Sequence, residues 1–300
     1  MGQQENIEIF DRESGELCSE TVFGGAAVRF IYQTLLGRTL WGILFNKSGI
    51  SALLGKYYDS RYSAGSIAKL AATPGCNADE ADSPLDSYNS FNAFFARKLK
   101  AGARPFDTAP ELLSSPADGR IFVYRDLSGS DPIPVKGAKR TLSELCGCDM
   151  PENRYAVAVI RLAPVDYHRY HFPCSCFQVA EDRRIAGKYH SVNPAAVARR
   201  PDIYVENARN ISSLKSDLFG KFFYIEVGAF GVGSIITTAS SGKHSKMDEK
   251  GYFKFGGSTV IIVFENDKVN WSADLLDNTA KGYETLIRCG STIGSAAVEK

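Results

Sequence analysis

Two of the four histidines in this 300-residue chain lie three residues apart in the segment Asp166–Pro173, which reads DYHRYHFP. An imidazole takes up and releases a proton near neutral pH, so His168 and His171 are candidate acid–base groups. Histidines at this spacing need not share a face of an extended chain, which allows them different roles. The alternative is that each is a surface residue or a structural hydrogen-bonding residue of a loop.

A serine follows two glycines in the segment Gly256–Thr259 (GGST), where the most regular strand pattern of the chain begins. Glycine allows backbone conformations that other residues avoid. A small hydroxyl on such a backbone suits a nucleophile, including one that attacks the carbonyl group of the preceding residue. Ser258 is therefore a candidate nucleophile, although two glycines before a strand are more often a simple turn.

A carboxylate, Asp118, occupies the segment Ser115–Arg120 (SPADGR), just before a predicted strand. A carboxylate in this position can orient a histidine, fix its tautomer and stabilise its charged form. Aspartates in turns frequently bond to their own backbone, and this remains the alternative interpretation.

The spacing of histidines and cysteines also raises the question of zinc. His168, His171, Cys174 and Cys176 form the pattern H-x2-H-x2-C-x-C. Four ligands this close rarely surround one tetrahedral ion without a longer spacer, so no metal is expected and the two cysteines are interpreted as small buried hydrophobes. The odd total of seven cysteines, without a secretory signal peptide, predicts reduced thiols in a protein that faces the cytosol.

The elements that position these residues predict an α+β protein with a helical region in residues 1–104 and a β-rich catalytic body in residues 105–300. A helix with aromatic residues on one face is predicted to begin after Ser90 and to end at Pro105. The strands expected beyond it are Gly119–Tyr124, Tyr155–Leu162, Phe222–Val227, Ser234–Thr238 and Ser258–Phe264. Short helices are expected at Thr141–Leu145 and Pro194–Ala198.

The segment Thr21–Tyr58 contains no acidic residue. Its charged side chains are four cations that recur every nine residues, Arg29, Arg38, Lys47 and Lys56. The apolar stretches between them are shorter than the roughly 20 residues of a spanning helix. The pattern favours helices that lie in a membrane interface, and an amphipathic helical pair packed on the domain is the alternative. The net charge of +1 provides no overall field to attract nucleic acid.

Together these segments resemble the phosphatidylserine decarboxylase family, which are pyruvoyl-dependent membrane enzymes. The similarity extends from about Phe91 to Phe264. The matching segments are Phe91–Pro105 (FNAFFARKLKAGARP), Pro116–Gly119 (PADG), Asp166–Pro173 (DYHRYHFP), Ser191–Pro194 (SVNP), Val227–Ile235 (VGAFGVGSI) and Gly256–Thr259 (GGST). The motif DYHR-x-H followed by GST is highly specific in combination.

The resemblance implies a proenzyme that cuts itself between Gly257 and Ser258 into a β-chain, residues 1–257, and an α-chain, residues 258–300. It assigns Asp118, His171 and Ser258 to the charge relay of self-cleavage, with His171 as the base and Asp118 as its orienter. Ser258 then becomes an N-terminal pyruvoyl group, the covalent cofactor.

In such an enzyme the pyruvoyl group forms a Schiff base with phosphatidylserine and decarboxylates it to phosphatidylethanolamine. His168 is the candidate proton donor of that reaction. A lipid substrate implies a peripheral position on the cytoplasmic side of the cell membrane, and it strengthens the interfacial interpretation of Thr21–Tyr58. The resemblance implies no nucleic-acid partner and leaves a homo-oligomer open.

Two departures from the family pattern and two rival functions accompany this interpretation. Ala208 stands where relatives often have Glu, and Gly256 stands where many have Leu. A Ser-His-Asp hydrolase would use the same three residues in an uncut chain, but the G-x-S-x-G motif is missing. A membrane-binding module without enzymatic activity would leave the histidine pair and GGST unexplained.

Overall fold

The computed structural model describes residues 7–20, 34, 48–135, 137–151, 153–192, 194–229, 235–256 and 258–297. Gly257 and most of the predicted interfacial segment Thr21–Tyr58 lie outside the described residues. That segment is described mainly at its end, where helix α1 spans Ser48–Tyr58.

The described body consists mostly of strands, in agreement with the predicted α+β class. The strands are β1 Glu8–Asp11, β2 Glu16–Ser19, β3 Leu112–Ser114, β4 Gly119–Ser128, β5 Arg154–Leu162, β6 Arg169–His171, β7 Cys176–Gln178, β8 Arg183–Ile185, β9 Arg209–Ser216, β10 Gly220–Gly228, β11 Ile235–Thr237, β12 Lys243–His244, β13 Glu249–Phe253, β14 Ser258–Glu265, β15 Val269–Trp271, β16 Glu284–Ile287 and β17 Thr292–Ala296. The α-helices after α1 are α2 Ile67–Ala71, α3 Phe91–Phe95, α4 Leu142–Cys146, α5 Pro194–Arg199, α6 Ile203–Glu206 and α7 Ala273–Lys281.

The main sheet of the described residues has 11 strands in the order β12-β7-β9-β10-β14-β5-β4-β16-β1-β2, with β8 paired to β9. Strand β14 lies between β10 and β5, and its residues are buried along almost its whole length. Its side chains alternate between two core clusters, because successive residues of a strand point to opposite faces. Val260, Ile262 and Phe264 pack in one cluster, and Ile261 and Val263 in the other.

Two smaller sheets accompany the main one among the described residues. The strands β11, β13 and β6 form one of them, and β15, β17 and β3 form the other. Helices α2 and α3 pack their apolar faces against the chain that follows β5, at Ala163 and Val165. The sheet of β11, β13 and β6 carries one of the candidate residues, because β6 ends at His171.

The predicted strands and short helices are present with small shifts at their ends. Ser90 caps α3 as predicted, since its Oγ accepts the N–H of Ala93 at 3.2 Å. The prediction that this helix runs to Pro105 is wrong, because α3 ends at Phe95. The chain beyond it is extended, and Leu99 forms a β-bridge with Ala81. A tertiary pairing therefore replaces the last turns that local propensity favours.

The N-terminal strands β1 and β2 were not predicted from the sequence. They form a hairpin, and β1 pairs in parallel with β16, so residues 8–19 extend the edge of the main sheet. Their sequence contains several charged residues and gives only a weak strand pattern. The division at residues 104 and 105 stays a prediction.

Candidate active site

The candidate residues Asp118 and Ser258 lie at one end of three adjacent strands. Ser258 is the first residue of β14, and its register partners are Leu162, the last residue of β5, and Gly228, the last residue of β10. On the other side of β5, strand β4 begins at Gly119, directly after Asp118. The loop that leaves β5 after Leu162 carries both histidines. The register of β4, β5 and β14 therefore brings residues that lie far apart in the chain to the same end of these three strands.

Gly119 allows the close approach of β4 to β5 at this end of the strands. Its φ is +157°, and a Cβ atom here would lie 2.6 Å from the carbonyl oxygen of Arg161. Any other residue would push the two strands apart or distort the backbone. The glycine of the PADG motif thus holds the neighbouring Asp118 close to the end of β5.

Ser258 is fully buried, and its Oγ has no hydrogen-bond partner among the described residues. It points to the same face as Val260 and Ile262, towards the first core cluster. Buried hydroxyl groups are nearly always hydrogen-bonded, and the Oγ of Ser258 is one of three in the described residues that have no partner, with those of Ser114 and Thr259. The chain enters this strand through Gly256, whose φ is +150°, a region that favours glycine.

The loop between β5 and β6 is held by Asp166, the first residue of the DYHRYH motif. Its Oδ2 accepts the N–H of Ala163 at 2.6 Å and also bonds the guanidinium of Arg120 on β4. Burial raises the pKa of Asp166, and the neighbouring Arg120 opposes that rise. This aspartate therefore fixes the conformation from which the two histidines project.

His171 is partly buried and has a partner at each ring nitrogen. Nδ1 lies 3.0 Å from the carbonyl oxygen of Met247, and Nε2 lies 3.2 Å from the hydroxyl of Tyr167. A carbonyl oxygen only accepts, so Nδ1 carries the proton and Nε2 presents its lone pair to the Tyr167 hydroxyl. Burial lowers the pKa of His171, which favours the neutral ring that a base requires.

The carboxylate of Asp118 is occupied by other donors. Arg104 forms a two-point ion pair with it, at 2.8 and 2.6 Å, and the N–H of Cys289 donates to Oδ1 at 2.8 Å. The described residues show no hydrogen bond between Asp118 and His171. The negative charge of Asp118 nevertheless raises the pKa of His171 and so opposes the larger effect of burial. Its influence on the base is electrostatic in this arrangement.

His168 is fully buried, and its ring packs against that of Phe95 at a tilt of 33°, with a centroid separation of 3.7 Å. Nδ1 lies 2.9 Å from the carbonyl oxygen of Asp166, whereas Nε2 has no partner among the described residues. Burial, with a contribution from the cations Arg97 and Arg120, lowers the pKa of His168 to about 3. The ring is therefore neutral, with a proton on Nδ1 and a free lone pair on Nε2.

Three participants in this site were not identified from the sequence: Tyr167 beside His171, Arg104 beside Asp118, and the carbonyl group of Met247. Tyr167 lies inside the DYHRYH motif, and its position between an acid and a histidine could have drawn attention to it. In the sequence Arg104 is one of four cations that follow the aromatic residues of α3, with Arg97, Lys98 and Lys100, and nothing local distinguishes it from them. A backbone carbonyl group carries no signal in the sequence at all.

The cysteines near the histidines lie in the core. Cys174 and Cys176 are buried in the first core cluster with their thiols free. Burial raises the pKa of Cys176 to about 12, so this thiol is protonated near neutral pH. Within the described ranges, no group of three or more His, Cys, Asp or Glu side chains is arranged to hold a metal ion.

Comparison with known proteins places this geometry in a family. The profile described as phosphatidylserine decarboxylase matches residues 91–295, a range that contains Asp118, His168, His171 and Ser258. The chain belongs to the phosphatidylserine decarboxylase family. The resemblance inferred from the motifs is confirmed, and the match extends beyond Phe264 into β17. Membership of this family makes the protein a decarboxylase, a carboxy-lyase.

Curated relatives of the phosphatidylserine decarboxylase family align along nearly the whole chain. A phosphatidylserine decarboxylase proenzyme of Ruminiclostridium cellulolyticum is 39% identical over 293 residues, which cover 96% of this chain and 97% of the relative. One of Clostridium novyi is also 39% identical, with 96% and 99% covered. One of Chlamydia trachomatis is 36% identical over 288 residues, with 95% of both chains covered.

None of the helices in the described residues is long and apolar enough to span a membrane.

Proposed function

We propose that the chain is a self-processing phosphatidylserine decarboxylase proenzyme. It cuts the bond between Gly257 and Ser258, converts Ser258 into a pyruvoyl group, and decarboxylates phosphatidylserine to phosphatidylethanolamine. The observation that carries the proposal is the buried Oγ of Ser258, which has no hydrogen-bond partner among the described residues. It lies at the end of β14, next to the ends of β5 and β4 from which the histidine loop and Asp118 extend. The proenzyme names of the relatives support it.

The proposed self-cleavage begins with Ser258 acting on its own peptide bond. His171 Nε2 takes the proton of Oγ, and Oγ forms a bond to the carbonyl carbon of Gly257. The C–N bond then breaks, the nitrogen of residue 258 receives the proton, and the amide has become an ester. Loss of the Cα proton of residue 258 expels the carboxylate of Gly257. Water finally replaces the nitrogen, which leaves as ammonia, and the new end is a pyruvoyl group.

The described residues are consistent with a carbonyl group at position 258. A fully buried, orphaned Oγ leaves a polar position in the core that the uncut serine does not satisfy, and the Nε2 of His168 also lacks a partner among the described residues. The pyruvoyl group supplies an electrophilic ketone that binds the amine of the substrate and draws electrons from the bond that releases CO2.

In the proposed decarboxylation His168 donates the proton that replaces CO2 on the substrate. Its Nε2 must first take up a proton, which the ammonium group of the substrate supplies as it becomes a free amine, because the ring is neutral in the uncut protein. It then delivers that proton to the carbon atom from which CO2 has left. The carbonyl oxygen of Asp166 accepts a hydrogen bond from Nδ1–H. This bond keeps one proton on Nδ1 and leaves Nε2 to exchange the other.

The proposed lipid substrate requires contact with a membrane on the cytoplasmic side of the cell. Three large side chains of α1 and the turn that follows it are exposed to solvent: Leu53 at 69%, Tyr57 at 46% and Tyr62 at 89%. Lys56 and Arg61 lie beside them in the sequence. Aromatic and aliphatic side chains with neighbouring cations suit the boundary between headgroups and acyl chains. These residues extend the predicted interfacial segment Thr21–Tyr58 by one turn.

Intact mass and N-terminal chemistry test this function directly. The protein should separate under denaturing conditions into residues 1–257 and the residues from 258 to 300, and the smaller piece should resist Edman degradation and react with hydroxylamine. Ser258→Ala should remain full length and release no CO2 from phosphatidylserine vesicles. An uncut wild-type chain whose Ser258 is labelled by serine-directed reagents would instead indicate the rival hydrolase.

A further inference from the structure

The segment immediately before the proposed cleavage site is held by side chains from the N-terminal part of the chain. The N–H of Phe255 donates to Asn92 Oδ1 at 2.9 Å. Asn92 Nδ2 in turn donates to Asp59 Oδ1 at 2.9 Å, and Lys254 Nζ bonds Asp59 Oδ2 at 2.8 Å. Asp59 and Asn92 thus bind two consecutive residues, Lys254 through its side chain and Phe255 through its backbone N–H. We refer to Asp59 and Asn92 as the clamp.

Asn92 is the buried member of the clamp and is anchored in packed structure, whereas Asp59 is exposed. Asn92 lies on α3, is 3% exposed, and uses its carbonyl oxygen and its amide nitrogen at the same time. The ring of Phe255 packs against Tyr58 at a centroid separation of 4.7 Å, Phe91 at 4.9 Å and Phe95 at 5.3 Å. Aromatic contacts of this kind add rigidity as well as buried area.

The other side of the cleavage site has a different anchor. Ser258 is paired in the main sheet with Gly228 and Leu162. Only two glycines, Gly256 and Gly257, therefore connect a residue fixed by the clamp to a residue fixed by the sheet. Glycine has the largest conformational freedom to lose, so two neighbouring glycines without anchors would sample many geometries.

We propose that Asn92 and Asp59 are positioning residues for self-cleavage, which hold the carbonyl side of the Gly257–Ser258 bond in place for attack by Ser258 Oγ. The inference rests on the proposed function, because it assigns the clamp to the cleavage step. Attack on a carbonyl carbon requires the two atoms to be close and aligned, and a misplacement of about 1 Å can cost roughly 100-fold in rate.

The chemistry of the amide explains why an asparagine occupies position 92. An amide accepts from Phe255 and donates to Asp59, whereas a carboxylate can only accept. Asn92→Asp would therefore keep the bond from Phe255 but place two carboxylates against each other. Exchanging the two side chains, as in the double variant Asn92→Asp/Asp59→Asn, restores a donor facing an acceptor.

The experiment follows the conversion of newly synthesised full-length chain into its two pieces by intact mass over time. We expect Asn92→Asp to slow cleavage at least about 10-fold and the double exchange to recover most of the wild-type rate. A wild-type rate for Asn92→Asp overturns the proposal. A double exchange that is no faster than the single variant also overturns it.

Two further variants separate positioning from loss of stability. Asn278 on α7 is also buried, 6% exposed, and donates to Thr285 Oγ1 at 3.1 Å. Asn278→Asp should lower the thermal unfolding temperature and leave cleavage unchanged. Equal slowing by Asn278→Asp and Asn92→Asp at matched stability would show that the clamp has no specific role.

Lys254→Ala removes only the partly exposed arm of the network and leaves the buried amide intact. We expect about threefold slower cleavage, since the Phe255 anchor remains. If Asn92→Asp fails to fold, Lys254→Ala and Asp59→Asn decide the question, and wild-type rates in both overturn the proposal. Failure of the wild-type chain to split before Ser258 overturns the proposed function itself and is recognised separately.

Discussion

The guanidinium of Arg104 and the carboxylate of Asp118 form a two-point ion pair, with N···O distances of 2.8 and 2.6 Å. The proposed base His171 instead donates from Nδ1 to the carbonyl oxygen of Met247. In the uncut protein a backbone group thus orients the imidazole, and Asp118 contributes its charge. The role of Asp118 in the relay remains a prediction.

Asp118→Asn should leave the chain uncut or slow its cleavage by at least about 100-fold. Removing the negative charge takes away an interaction that favours the imidazolium of His171, so its pKa should fall further below the ordinary value. The measurement is the pH dependence of cleavage, and any residual activity should show its inflection at lower pH than the wild type. His171→Ala should stay uncut. A cleaved Asp118→Asn variant with an unchanged pH profile would remove Asp118 from the relay.

The cleavage rate of the wild type should depend on pH in one direction. Burial lowers the pKa of His171 below its ordinary value of 6.5. The fraction of His171 in the neutral, basic form therefore rises with pH in the range below 6.5. Cleavage should therefore accelerate with rising pH in the acidic range and become constant above about pH 6.5. Intact mass at a series of pH values checks this. A rate that still climbs between pH 7 and pH 9 would point to a base other than His171.

His168→Ala should cleave itself and carry the pyruvoyl group yet decarboxylate poorly, because it lacks the group that holds the proton. General acid–base groups contribute about 100-fold or more to rate, and a loss of that size is expected. CO2 release from the mature protein measures this loss. His244→Gln, in the edge strand β12, is the matched control and should turn over normally.

The buried pair Glu226 and Lys250 should behave as a structural unit. Their N···O distance is 2.5 Å, and both side chains are fully buried. Lys250→Met should lower the free energy of unfolding by about 3–5 kcal/mol, because it leaves a carboxylate uncompensated in the core. The double variant Glu226→Leu/Lys250→Met should recover most of that loss, as measured by urea unfolding. A double variant less stable than either single variant would contradict this account.

Binding to lipid should depend on the exposed residues near α1. Leu53→Glu combined with Tyr62→Glu should reduce co-sedimentation with vesicles that contain phosphatidylserine, since it places anions where apolar groups would meet the headgroups. Self-cleavage should be unchanged. Leu218→Glu, another exposed apolar position at 44%, is the control and should bind normally. Deletion of residues 21–58 should release the protein from vesicles, and persistent binding would count against the interfacial segment.

The sequence by itself determined the family, the class of fold and the residues whose side chains can take part in catalysis. Motifs such as DYHRYH and GGST, the alternation of the strands and the cap at Ser90 are local features, and local features can be read along a chain. This is why β4, β5, β10, β11 and β14 were predicted with small errors at their ends, whereas the strands β6–β9, β12 and β13 that lie between them were not predicted.

Only the tertiary structure decided which groups meet. The bond from His171 to Met247 joins residues 76 positions apart, and the clamp joins Asn92 to Phe255 across 163 positions. The early end of α3, the parallel pairing of β1 with β16, and the ion pair of Asp118 with Arg104 likewise depend on partners that approach only in the folded chain. Sequence spacing describes what one segment can do alone, whereas burial, register and charge are properties of segments packed together.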